Sequence, residues 1–118
     1  MRAAPILLAA LLAAAGPAAL AADTVTGPAR ATASETLVVA NARVRLAGFA
    51  AAEGACGALA CAEAARARLA ELVASSGPVT CTRGARLGHG VHEGTCRLAD
   101  GRDPARVLAD EGLLRPTR

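Results

Sequence analysis

The fold is decided in residues 35–49, ETLVVANARVRLAGF. Two extended runs, Thr36 to Val39 and Arg43 to Phe49, flank Ala40-Asn41-Ala42. Asn tolerates the left-handed backbone of a tight turn, so the stretch predicts a β-hairpin. In its second strand Val44 and Leu46 alternate with Arg43 and Arg45, which gives a sheet with one apolar and one wet face.

Past the hairpin the period becomes helical. Between Leu59 and Ala74 the residues Leu59, Ala62, Ala65, Leu69, Leu72 and Val73 fall on one face, with Glu63, Arg66 and Arg68 on the wet side. Ser75-Ser76-Gly77-Pro78 stops that helix. Val79 to Thr82 then predicts a short strand, RGARLGHG (83–90) a glycine-rich loop, and Gly94 to Leu98 a further strand. Asp103 followed by Pro104 is an N-cap with proline at the first helical position, so a short helix is expected to about Glu111. Upstream, residues 22–32 are small and polar with a Gly27-Pro28 breaker, and read as a flexible arm or a poor first strand before a domain spanning 33–116. The order suits a mainly-β α+β domain, an OB-fold-like five-stranded barrel with one packed helix and a short C-terminal helix. Other α+β meanders fit the same order nearly as well.

The chain begins as an export signal would. Met1-Arg2, the apolar run Ile6 to Ala15 and the small-x-small site Ala19-Leu20-Ala21 predict cleavage after residue 21, leaving about 97 residues and no membrane span. One domain of that size buries only about two thirds of its unfolded surface. Cys56, Cys61, Cys81 and Cys96 all lie in the mature part, where an oxidising compartment makes disulfides their expected state; four cysteines allow three pairings. All 13 basic residues are arginine, and without Arg2 twelve arginines against ten acidic residues leave +2, too mild to imply nucleic acid by itself. Phe49 is the one aromatic residue in the chain, so stacking on several aromatic side chains, the usual way of holding single-stranded nucleic acid, is excluded.

A succession of segments, SET (34–36), RLAGFAAAEG (45–54), CGALACAEAARARLAELV (56–73), PVTC (78–81), RLGHG (86–90), GTCRLADGRD (94–103) and VLADEGLL (107–114), resembles the thermonuclease family, the staphylococcal-nuclease-like domains. That family has a V-x-D-G-D-T turn, then R-L-x-G-I-D-A-P-E, a helix, a Y-G-R loop, a strand and a helix. The resemblance spans roughly residues 31–114. It implies an OB-fold and Ca²⁺-dependent phosphodiester hydrolysis, in which two Asp hold the metal, a Glu serves the attacking water and two Arg neutralise the phosphate.

Carried onto this chain, the resemblance makes Arg45 the first phosphate-clamping arginine and Glu53 the catalytic carboxylate, eight residues on. Glu35 stands at one metal-ligand position, Ala50 replaces the other metal-binding Asp, and His89 replaces the second arginine, with Arg86 three residues before it as a further phosphate contact. A neutral imidazole is a poor substitute for a guanidinium fork. One carboxylate falls far short of the six to eight oxygens that Ca²⁺ takes, which makes the ion doubtful here. Secreted members of the family further imply Cys81–Cys96 between adjacent strands, with Cys56–Cys61 as the local pair. His89 and His92 beside Cys81 or Cys96 invite a zinc reading, which disulfide formation would remove.

The expectation is therefore a periplasmic or secreted, monomeric nuclease-like domain with weak or lost Ca²⁺-dependent phosphodiesterase activity. An active Ca²⁺-dependent endonuclease on DNA or RNA is the alternative. A further alternative is a pseudoenzyme that binds protein, or that binds single- or double-stranded nucleic acid through Arg43, Arg45, Arg83 and Arg86.

Overall fold

A computed structural model describes residues 23–117, so the export-signal reading of residues 1–21 lies outside the described residues. Strands β1 (Thr24–Gly27), β2 (Ala29–Ala33), β3 (Thr36–Val39), β4 (Ala42–Leu46), β8 (Val79–Gly88) and β9 (Val91–Arg97) form one sheet in the order β1-β8-β9-β4-β3-β2. Its two edge strands, β1 and β2, are consecutive in the chain and separated only by Pro28, so the sheet curls round into a half-barrel. Neighbouring strands are antiparallel except β4 and β9, which run parallel. That one parallel pairing needs a long crossover, and helix α1 (Cys61–Ser76) lies within it.

Two short pairings complete the mainly-β α+β fold. Strand β5 (Phe49–Ala51) pairs with β10 (Leu114–Pro116), β6 (Ala55–Cys56) pairs with β7 (Leu59–Ala60), and helix α2 (Pro104–Asp110) precedes β10. Asp103 accepts a hydrogen bond from the Ala105 amide at 2.9 Å and caps α2 as its sequence predicts. The hairpin of residues 36–46 also forms, with Ala40 and Asn41 both left-handed at φ 48° and 69°.

The structure departs from the sequence reading in four places, the first being the run Arg43 to Phe49, which a turn at Ala47-Gly48 breaks into β4 and β5. Residues 24–33 follow the strand alternative and not the flexible arm, forming two strands of the main sheet, so the sheet begins before residue 33. They have few apolar side chains of their own, and what fixes them is pairing with β8 and β3 on either side. The glycine-rich stretch 83–90 is mostly strand, because β8 runs to Gly88 with register shifts between Arg83 and Arg86 and between Arg86 and Gly88. Leu59 precedes α1 and stays 48% exposed, and Ala62 is exposed too, so the buried stripe of the helix is Cys61, Ala65, Leu69, Leu72 and Val73.

The core sits between the inner face of the sheet and the two helices. Leu37, Val39, Val44 and Leu46 meet Leu69, Leu72 and Val73 of α1 and Leu108 of α2 in one cluster. Both disulfides are formed: Cys81 faces Cys96 as a cross-strand partner inside this cluster, and Cys56 joins Cys61 at the entrance of α1. Disulfides fit an oxidising compartment. No helix among the described residues is long and apolar enough to cross a membrane.

Gly94 is fixed by its neighbours. A Cβ there would come within 2.7 Å of both the Thr82 carbonyl oxygen and Val44 Cγ1, so only hydrogen fits where β8, β9 and β4 meet. Outside the core, Arg68 does more than wet the helix. Its guanidinium donates to Glu111 just past α2 at 3.0 Å and to Glu71 at 3.3 Å, linking the two helices. These bonds raise the Arg68 pKa, the Glu111 bond most, and the Arg68 bond holds the Glu111 carboxyl below its usual range.

Candidate functional site

The outer face of the half-barrel is built by strand alternation. In β4 the buried Val44 and Leu46 turn inward, leaving Arg43 and Arg45 exposed on the other side. Cross-strand register then fixes their company: Arg45 lies opposite Thr36 of β3 and Glu93 of β9, while Arg43 lies opposite Val38 and Val91. In β2, Arg30 is the partner of Val38. One row across the face is therefore Arg30, Val38, Arg43, and the next is Thr36, Arg45, Glu93.

Glu35 sits in the turn between β2 and β3, and the Leu46 amide donates to its backbone carbonyl at 2.7 Å. This bond brings the turn against the end of β4. The Glu35 carboxylate, with 17% of its side chain exposed, takes a hydrogen bond from the Ser34 hydroxyl through Oε2 and has the Arg45 Nε 3.8 Å from Oε1. Both carboxylate oxygens thus have protein partners. Ala50, half-buried in β5 opposite Arg115, offers no oxygen from its side chain. The side chains at the metal positions that the resemblance implies do not fit Ca²⁺, which takes six to eight oxygen ligands. Among the described residues no three of His, Cys, Asp and Glu gather as a metal-ligand group.

Glu53 occupies the bend after β5, a position held by the Ala52 amide donating to Leu113 at 3.0 Å and the Cys61 amide donating to Gly54 at 2.9 Å. Its side chain is 88% exposed and its ion-pair partner is Arg115, at 3.9 Å. His89 forms the tip of the β8–β9 hairpin at φ 53°. It precedes Glu93, the cross-strand neighbour of Arg45, by four residues, a separation of roughly 10 Å or more along a strand. Arg86 lies on β8 opposite His92. Arg45 and Glu35 are brought together, while Glu53 pairs with Arg115 and His89 and Arg86 belong to the hairpin beyond β4.

Three neighbours were not singled out from sequence. Ser34 reaches Glu35, Arg115 reaches Glu53, and Glu93 stands beside Arg45. No local pattern marks Glu93, because its position depends on a parallel register between segments nearly fifty residues apart. Arg30 did have a signal. The alternation ARATA in residues 29–33 places Arg30 and Thr32 on one side and the alanines on the other.

No family model matches this chain, and no curated protein matches it.

Proposed function

We propose that this chain is an exported, periplasmic or secreted, thermonuclease-like domain of OB-fold type that binds a phosphate-bearing ligand and hydrolyses phosphodiesters weakly or not at all. The order of its strands supports the OB-fold reading. Taking β1 and β2 as one bent strand gives five strands, the first paired with the second and fourth and the third parallel to the fifth, with a helix between the third and fourth.

The observation that carries the functional reading is the pairing of Glu35 with Arg45 and Ser34. In a hydrolytic site the carboxylate would serve a cation and the arginine a phosphate. Here the two partly neutralise each other, and Ala50 adds no second ligand. Loss of a transition-state donor alone costs about 10²- to 10³-fold in rate.

The test is hydrolysis of fluorescent single-stranded DNA by the oxidised protein, in millimolar Ca²⁺ and in chelator, beside Glu53→Gln. Equal background rates in all arms are expected from protein shown to be folded. Cleavage far above background that requires both Ca²⁺ and Glu53 would overturn the reading and make the domain a working endonuclease.

A further inference from the structure

We infer that the phosphate-binding centre of this domain is the pair Arg30 and Arg43, not Arg45, and that it takes the phosphodiester backbone of a nucleic acid without contacting its bases. The inference rests on the phosphate-ligand part of the functional reading and gives it a different address.

The charge on the outer face is unevenly spent. Arg45 has Glu35 within 3.8 Å and Glu93 as its cross-strand neighbour, so its guanidinium is already partly neutralised. Arg30 and Arg43 have no carboxylate within ion-pair distance among the described residues, and both are exposed. An incoming anion is therefore attracted less at the first place than at the second.

Geometry suits the same pair. Arg30 and Arg43 flank Val38 in one cross-strand row, which sets their backbones about 10 Å apart, within reach of two arginine arms closing on a group between them. Guanidinium forks match phosphate oxygens in pairs, so two of them can grip one phosphate or two successive ones. Beside the row, next to the β3–β4 turn, a shallow depression of about 300 Å³ is lined by Pro28, Ala29, Arg30, Val38, Ala40 and Asn41. Its floor is apolar and its charged wall is Arg30. This suits a sugar-phosphate link lying across it.

Base recognition has no platform. Phe49, the one aromatic residue, is half-buried and packed against the core cluster. Stacking worth roughly 1–3 kcal/mol per base is therefore absent, and affinity has to come from phosphate contacts, which are salt-dependent and indifferent to sequence.

The experiment is fluorescence anisotropy with a labelled single-stranded oligonucleotide and an abasic oligonucleotide of the same length, in chelator, over a salt series. Both are expected to bind within about twofold of each other. Arg30→Ala and Arg43→Ala are each expected to weaken binding roughly three- to tenfold and to reduce the salt slope by about 0.7 for each phosphate no longer neutralised. Arg45→Ala should weaken it less, and Arg30→Lys, which keeps the charge without the fork, should restore only part of the affinity that Arg30→Ala removes. Circular dichroism and melting show that each variant is folded. Failure to bind the abasic strand alone, a larger effect at Arg45 than at Arg30 and Arg43, or no binding at low salt would each overturn the inference. Ca²⁺-dependent cleavage far above background in the hydrolysis assay would overturn the functional reading and leave this site standing.

Discussion

The Nε of Arg45 lies 3.8 Å from Oε1 of Glu35, and Ser34 donates to the other oxygen of that carboxylate. Two residues that a phosphodiesterase would point at separate partners are thereby pointed at each other. Neutralising the acid should release the base. Glu35→Gln is expected to tighten oligonucleotide binding by up to about twofold at low salt, because the anion is held at Arg30 and Arg43, one row away on the sheet, where the repulsion removed is about half of the roughly 1 kcal/mol that unit charges exchange at 4 Å in water. The gain should fade as salt screens the face. Anisotropy titrations at two ionic strengths check this; unchanged affinity would mean that the face is not where the anion sits.

The two disulfides should contribute unequally. Cys81–Cys96 closes a 15-residue separation and is fully buried, whereas Cys56–Cys61 closes one of 5 residues. Chain entropy assigns about 3 kcal/mol to the longer loop and about 2 to the shorter. Replacing Cys81 and Cys96 by Ala is expected to lower Tm by roughly 10–20 °C, and more than the Cys56/Cys61 double variant does. Thermal melts of the two variants decide the order.

Gly94 should tolerate no side chain. Its added Cβ would meet backbone oxygen and Val44 at 2.7 Å, and neither the β8 carbonyl nor the buried valine has space to retreat. Gly94→Ala is expected to cost about 1–3 kcal/mol through overpacking. A urea midpoint equal to that of the parent protein would show that β4 and β8 part more easily than their packing indicates.

The bridge between helices predicts a pH response. Hydrogen bonding from Arg68 holds the Glu111 carboxyl below its usual range, so the folded state binds this proton less readily than the unfolded chain. The resulting stabilisation is present above the unfolded carboxyl pKa and is lost as pH falls through the folded value. The pair is partly exposed, so Glu111→Gln should cost less than about 1 kcal/mol at pH 7. The difference from the parent should shrink towards pH 3, as measured by urea unfolding at both values.

Much of this domain was determined locally. The hairpin of residues 36–46, its wet and apolar faces, the body of α1 and the Asp103 cap follow from alternation, helical period and backbone preferences, each set by residues a few positions apart. The resemblance that ran along the chain selected Arg45 and Glu35 as candidates and anticipated the pairing Cys81–Cys96. Tertiary structure alone decided the rest. Residues 24–33 became strands because β8 and β3 offered them edges, and the stretch 83–90 became strand because β9 lay beside it. The parallel register of β4 and β9 set Glu93 next to Arg45, and the β2–β3–β4 register left Arg30 and Arg43 around Val38 with no ion-pair partner among the described residues. Which charges cancel and which remain free depends on distances between segments far apart in the chain, and those distances exist only once the sheet has curled.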